Sequence, residues 1–326
     1  MRNKIVPLLN KLSISIYLVG YNKLGESIVF VVENDFGIFY CGVIDSFECN
    51  DVNNTIKILD QLGVKSLNLL VWTHPHEDHT LGMCKLINNY VTEDTRIIYP
   101  SNVYNVNQEV ESIRETTEKI TEILNSRKRK KPKLIGVNGY SPIYKCQIGN
   151  QISKSFEFQI IALSPVTEIV EKRIFNGRVN TPNDYSISLL ISIGGINFFL
   201  GGDIQNTTID KIEQMYLPNK IDYVKIPHHA SRHSTKLLGW FNRLDKSSIS
   251  CTTEYSSSGL PNMEVIGKYK SFFNEIYTTN INPEKPVGVG IIKTVYDVLG
   301  NKFFTTPYGD GGIIHKDELI KTSKKL

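Results

Sequence analysis

A chain of 326 residues with 40% hydrophobic, 21% charged and 10% aromatic residues has the balance of a folded protein with one large core or two modest ones. That composition excludes fibrous and disordered classes, and a net charge of +4 permits contact with a polyanion without demanding it. Five scattered cysteines with no Cys-x-x-Cys pair read as reduced thiols, so a cytoplasmic location is expected. The apolar stretch behind the basic N-terminus is broken by Asn10 and Lys11, which argues against a secretory leader, and no apolar run is long enough to span a membrane.

Residues 12–46 predict a meander of strands. The segments 13–19 and 27–32 are β-branched and apolar with Gly20 and Gly25 between them, and a third run, 37–44, ends at Asp45. Val52, Ile56, Leu59 and Leu62 recur at helical spacing, with Gly63 as a stop. The apolar run 67–72 predicts a buried strand that leads straight into Thr73-His74-Pro75-His76-Glu77-Asp78-His79. Met83, Leu86 and Ile87 then predict a helix starting at that cluster. Val110, Ile113, Ile120 and Leu124 form the apolar stripe of a helix over 109–126. A basic run at 127–133 follows, expected to be an exposed loop dividing two halves.

The second half repeats the theme. Strands are predicted at 156–163, 186–191 and 197–200, the last ending in Gly201-Gly202-Asp203. A further strand at 221–226 ends in Pro227-His228-His229. A helix is expected near Pro261, which suits its first position, and short strands close the chain. Strands alternating with helices predict an α/β layered fold, read as a single domain over 1–326 with halves at roughly 12–150 and 151–315.

The chemistry concentrates at the strand ends. Three imidazoles and a carboxylate within six residues are natural ligands for zinc or its neighbours. His74 and His76 point the same way from an extended segment, while Asp78 and His79 sit where strand becomes helix. Each pair can therefore grip its own ion. Asp203 is a candidate bridging ligand, with an Asx turn or helix cap as the alternative. His228 and His229 cannot both face one way, so one is expected on the metal and the other on substrate or a supporting partner.

These residues resemble the metallo-β-lactamase superfamily, whose signature is His-x-His-x-Asp-His. Within it the chain is similar to the hydrolase domain of bacterial competence DNA-uptake channels and its free-standing relatives. Val19-Gly20 with Gly25-Glu26-Ser27 resembles that group's opening strand turn, and Asp45 its first acidic position. Asn183 and Ser186 resemble its Asn-x-x-Ser, Gly202-Asp203 its Gly-Asp, and residues 225–231 its Lys-Val-x-His-His-Gly-Ser. Ala230 and Leu260 depart from the pattern, and no histidine before Asp203 fits the superfamily's extra ligand position, so His74 and His76 are expected to hold their ion with fewer protein ligands.

The resemblance implies an αββα sandwich of the metallo-β-lactamase type and hydrolysis by a metal-activated water. One or two zinc ions are expected, with manganese as an alternative. The implied ligands are His74, His76, Asp78, His79, Asp203 and His228 or His229. Asp78, His228 and His229 would be catalytic, and Asn183, Lys225 and Ser231 would contact substrate. A phosphodiester, DNA or RNA included, is the expected substrate, collected by the basic run and the basic tail at 321–325. A hydrolase of carboxylic esters, lactones or thioesters is the alternative within enzymes. A non-catalytic component of a DNA-uptake or defence complex, with partner proteins, is the alternative outside them.

Overall fold

The structure is a computed structural model that describes residues 5–7, 10–21, 24–149, 155–177, 181–216, 218–241, 247–255, 258–280 and 288–316; the basic tail lies outside them. Strand β1 (Ile5–Val6) precedes a meander of β2 (Leu12–Tyr21), β3 (Gly25–Asn34) and β4 (Gly37–Ile44). Helix α1 (Asn54–Gln61), β5 (Leu69–Val71), the single turn α2 (Glu77–Thr80), α3 (Met83–Tyr90), β6 (Arg96–Pro100), α4 (Glu111–Asn125) and β7 (Lys133–Val137) follow. Next come β8 (Ser141–Ile148), β9 (Phe156–Ala162), α5 (Thr167–Phe175), β10 (Leu189–Ile193), β11 (Ile196–Leu200), α6 (Asn206–Met215) and β12 (Tyr223–Lys225). The described chain closes with α7 (Leu237–Phe241), β13 (Ser247–Thr252), α8 (Met263–Tyr269), β14 (Phe273–Thr278), β15 (Val289–Asp297), β16 (Lys302–Gly309) and β17 (Gly312–Lys316).

Two sheets result. The first runs β16-β15-β2-β3-β4-β5-β6-β7 and the second β1-β8-β9-β10-β11-β12-β13-β14-β17. Alternation along each strand sorts its side chains between two cores. In β2, Ile14, Ile16 and Leu18 face the second sheet, while Tyr17, Val19 and Tyr21 face a helical layer with Leu59, Leu86, Ile113 and Ile120. In β11, Phe198 and Leu200 enter the shared core, while Phe199 packs with Ile212, Trp240 and Ile266 from helices on the other side. Inner strands such as β2, β3 and β12 are buried on both faces, whereas β7, β8 and β16 are partly exposed. The architecture is the expected αββα sandwich.

Several elements differ from expectation. The sheets do not divide at the basic run: β7 beyond it still belongs to the first sheet, and β8 pairs with β1 in the second. The closing strands are not short, and β15 returns to pair with β2 along nine residues, Val289 opposite Tyr21 to Asp297 opposite Ser13. Strand β10 begins at Leu189 rather than 186, because Ser186 and Ser188 are tied to Ser164 and the Ile187 amide donates to the Thr73 carbonyl. Helix α8 is capped by Asn262, whose Oδ1 accepts from the Glu264 and Val265 amides, so Pro261 precedes the cap rather than occupying the first turn. Among the described residues no helix is long and apolar enough to cross a membrane.

The topology gives the sandwich two chemically different ends. Strands β4, β5, β6 and β7 are mutually parallel, as are β11, β12 and β13. Asp45, the histidine cluster, Asp203 and His228-His229 all follow the carboxyl ends of such strands, where ligands collect in open α/β sheets. The basic run precedes β7 and therefore lies at the opposite end.

Phe158 is fully buried between the sheets, its ring 5.1 Å from that of Tyr40 and 5.5 Å from that of Tyr144. Phe158→Ala is expected to lower unfolding free energy by about 3–5 kcal/mol, read from denaturant midpoints.

Candidate metal centre

The centre is built outward from Asp45, which follows β4 in a left-handed conformation (φ 58°). Its Oδ1 accepts from the Thr73 amide at 2.7 Å, and its Oδ2 accepts from the Thr73 hydroxyl at 2.6 Å and from His79 Nδ1 at 2.7 Å. Since the Thr73 proton is committed to Asp45, that hydroxyl accepts from His74 Nδ1 at 2.9 Å. One carboxylate thus fixes two imidazoles, leaving the Nε2 lone pair of each neutral ring facing inward. A second carboxylate, Glu26 near the start of β3, does the same at one remove. Thr253 donates to its Oε2 and accepts from His229 Nδ1 at 2.7 Å.

Two ligand sets converge on these nitrogens. Asp78, His79, Asp203 and His229, all buried, form one; His74, His76 and Asp203 form the other, with donor atoms in each set within 4.8 Å of one another. His79 Nε2 lies 3.4 Å from Asp78 Oδ2 and 3.6 Å from Asp203 Oδ1; His229 Nε2 lies 3.5 Å from Asp78 Oδ2 and 3.8 Å from Asp203 Oδ2. Donors bound tetrahedrally at zinc distances sit about 3.4 Å apart, so the first set needs only small contraction to close on an ion. The second set is looser. His74 Nε2 is 3.9 Å from Asp203 Oδ2, the His76 side chain is 35% exposed, and among the described residues no fourth acidic, histidine or cysteine ligand reaches it.

Burial without an ion leaves a mark. His79 Nε2, His229 Nε2 and Asp203 Oδ1 are buried and make no hydrogen bond. Polar atoms are rarely orphaned in a folded interior, and three aimed into one space fit a cation. The electrostatics agree. Burial alone would lower the pKa of His79, but Asp78, Asp203 and Asp45 hold it well above the usual histidine value. Burial would raise Asp203, but His229 and His79 hold it well below the usual carboxylate range. His74 is pushed well below its usual value by burial and by His79 and His76, so it stays neutral.

The other residues singled out in the sequence occupy distinct places. His229, rather than His228, joins the ligand set. His228 sits at the rim, its Nε2 3.4 Å from Asn183 Nδ2, while His228 Nδ1 and Asn183 Oδ1 are buried and unpartnered. Ser231 is buried and caps the next turn by accepting from the His233 amide at 3.2 Å. Lys225, expected beside the substrate, is fully buried, its Nζ 2.5 Å from Glu26 Oε1. A cation placed there serves the interior, since burying it unpaired would be costly.

Local backbone explains the spacing. Gly202 (φ 53°) lets the chain pass Ser186 and Ile187 at distances a Cβ would violate, and the Ser186 hydroxyl accepts from the Asp203 amide at 2.8 Å. His228, His229 and Ala230 are all left-handed, at φ 50°, 49° and 59°. Ala230 therefore adopts the conformation for which the resembled family uses glycine, at a cost of roughly 1–2 kcal/mol. Sequence reasoning does not reach Glu26, Thr73 and Thr253 as site residues. A carboxylate opening the apolar strand at Gly25-Glu26-Ser27 is a usable signal for the first; single threonines carry none.

Comparisons with known proteins add little. No family model matches the chain, and no curated protein does. A solved structure described as a new diphosphatase from the PhnP family is similar at 13% identity and a TM-score of 0.40, over 80% of this chain and 93% of that one. A likeness of that size assigns neither substrate nor site residue.

Asp78, Asp203 and Asp45 favour the protonated form of His79, so an entering cation competes with a proton for that ring. Binding of Zn²⁺ or Mn²⁺ is therefore expected to release protons and to tighten as pH rises, as measured by calorimetry in buffers of different ionisation enthalpy.

Proposed function

We propose that this chain is a metal-dependent hydrolase of the metallo-β-lactamase superfamily that acts on phosphoester bonds. The observation that carries the reading is the pair of buried ligand sets sharing Asp203, with three orphaned ligand atoms aimed into them. The residues from Lys225 to Ser231 support the finer kinship with the competence-type hydrolases. His79, His229, Asp78 and Asp203 would hold one divalent ion, and His74, His76 and Asp203 a second. Either zinc or manganese suits these nitrogen and oxygen donors. Such ions, when bound, supply the Lewis acidity that lowers the pKa of water toward neutrality and offsets charge on a reacting phosphoryl group.

The chain's own residues do the rest. Asp45 and Glu26 fix the imidazole tautomers, directly or through threonine hydroxyls. Asp78 directs Oδ2 at His79 and His229 and keeps Oδ1 toward His76, 3.9 Å away, where it can orient an attacking water. His228 and Asn183, side by side at the rim of the ligand sets, are placed to contact a phosphate or leaving group.

Charge favours an anionic substrate. Glu26, Asp45, Asp78 and Asp203 bring four buried carboxylates against one buried ammonium, Lys225, a deficit of three charges when all are ionised. Two divalent ions turn that deficit into one positive charge, which a phosphodiester can neutralise. A small phosphodiester fits better than a polynucleotide collected by the basic run. That run, with a surface groove of about 640 Å³ between α3 and α4, lies at the far end of the first sheet. It is also partly engaged: Lys130 pairs with Glu93, and Lys131 donates to the Leu124 and Ser126 carbonyls at the end of α4.

Asp203→Asn and His79→Ala are expected to stay folded by circular dichroism, lose tight metal binding, and lose hydrolysis of a model phosphodiester with added Mn²⁺ or Zn²⁺ by about 10³-fold or more. Turnover of lactones or thioesters with no phosphodiesterase activity would overturn the phosphoester reading. Replacing Arg127, Lys128 and Arg129 with glutamine should leave kcat/KM for that small substrate within about twofold, since a charge beyond a Debye length is screened.

A further inference from the structure

Asp45 touches His79 Nδ1 directly, whereas His229 Nδ1 has no carboxylate as its hydrogen-bond partner. Its Nδ1 lies 2.7 Å from Thr253 Oγ1, and the nearer Glu26 oxygen stands 3.4 Å away. A hydroxyl has one proton to give, and an ionised carboxylate only accepts. Thr253 gives its proton to Glu26 Oε2, so it must accept from His229 Nδ1–H. Glu26 Oε1 is occupied by Lys225 Nζ at 2.5 Å, which leaves Oε2 for Thr253. All four side chains are buried, and the His229 ring is also stacked on Tyr255, with centroids 5.1 Å apart and planes at 17°. Glu26 comes from the first sheet; Lys225, His229 and Thr253 come from the second.

We propose that Glu26, acting through Thr253, is a positioning residue that locks His229 with its proton on Nδ1 and its Nε2 lone pair turned to the divalent ion. Lys225 is the countercharge that keeps the carboxylate in place. This rests on the metal-centre reading above. Asp45 presets the ligands that follow β5, and Glu26 presets the one that follows β12. A first-sheet carboxylate thereby sets the register of a second-sheet ligand against the histidine cluster.

Three variants test it. Thr253→Val keeps the shape and removes the hydroxyl, and Thr253→Ser restores it. Glu26→Met with Lys225→Met removes both buried charges together, a change that buried ion pairs tolerate better than loss of one partner. Two readouts are taken on the full chain: imidazole ¹⁵N shifts of metal-free protein at alkaline pH, which report which ring nitrogen carries the proton, and Zn²⁺ affinity by competition with a chelator. Wild type should show His229 protonated at Nδ1. Thr253→Val should bind its tighter ion about 10–100-fold more weakly, and Thr253→Ser should return to within about threefold of wild type. In the double variant Thr253 has no carboxylate to donate to, so its proton turns to His229 Nδ1 and the ring proton moves to Nε2.

Wild-type affinity in Thr253→Val, or a retained Nδ1 proton in the double variant, would overturn the proposal while leaving the metal centre standing. Failure of the wild-type protein to bind Zn²⁺ or Mn²⁺ would remove the metal reading itself, and the positioning role with it.

Discussion

Four carboxylates buried at one end of a two-sheet sandwich demand countercharge, and much of this molecule answers that demand. Lys225 supplies one positive charge, placed against Glu26 and 3.9 Å from Asp203. Asp78, Asp203 and Asp45 favour a second positive charge on the His79 ring. What remains is an excess of negative charge that a dication can offset. Removing charged groups from water costs more than their mutual attraction returns unless each is well placed, which makes such a cluster a candidate functional site.

The fold makes the cluster possible by topology. Parallel strands in both sheets end at the same pole, so four separate segments deliver side chains to one place without long excursions. Antiparallel β3 runs the other way and so begins there, which is how Glu26 arrives. The remaining adjustments are local. Gly202 permits a close backbone pass, and three successive left-handed residues turn the chain sharply after β12. Strain of this kind is tolerated where surrounding contacts over-determine the geometry. Here the His228 amide donates to the Gly202 carbonyl and the Ser231 amide to that of His228.

The candidate ligands are legible in the sequence because nitrogen and oxygen donors packed this densely after an apolar strand have few structural reasons to be there. His74, His76, Asp78, His79 and Asp203 are readable in that way, and His229 is readable up to the choice between two neighbours. Strands such as β2 and β11 are legible because their apolar runs have no competing period. Lys225 misleads because lysine in a motif suggests a surface group, and nothing nearby in the chain announces a partner 199 positions earlier. Thr73 and Thr253 are illegible for the same reason: a hydroxyl's role depends on what the fold sets beside it. The crossing of β8 and β15 between halves is hidden because pairing partners distant in sequence leave no local periodicity.

That last crossing bears on how the chain matures. Strand β2 lies between β3, its immediate neighbour in sequence, and β15, which leaves the ribosome roughly 270 residues later. Until then one flank of the first sheet offers unsatisfied amides and carbonyls, a template for wrong partners. Nascent protein should therefore depend on slow late closure, or on a chaperone covering that flank, before the two sheets can close on each other.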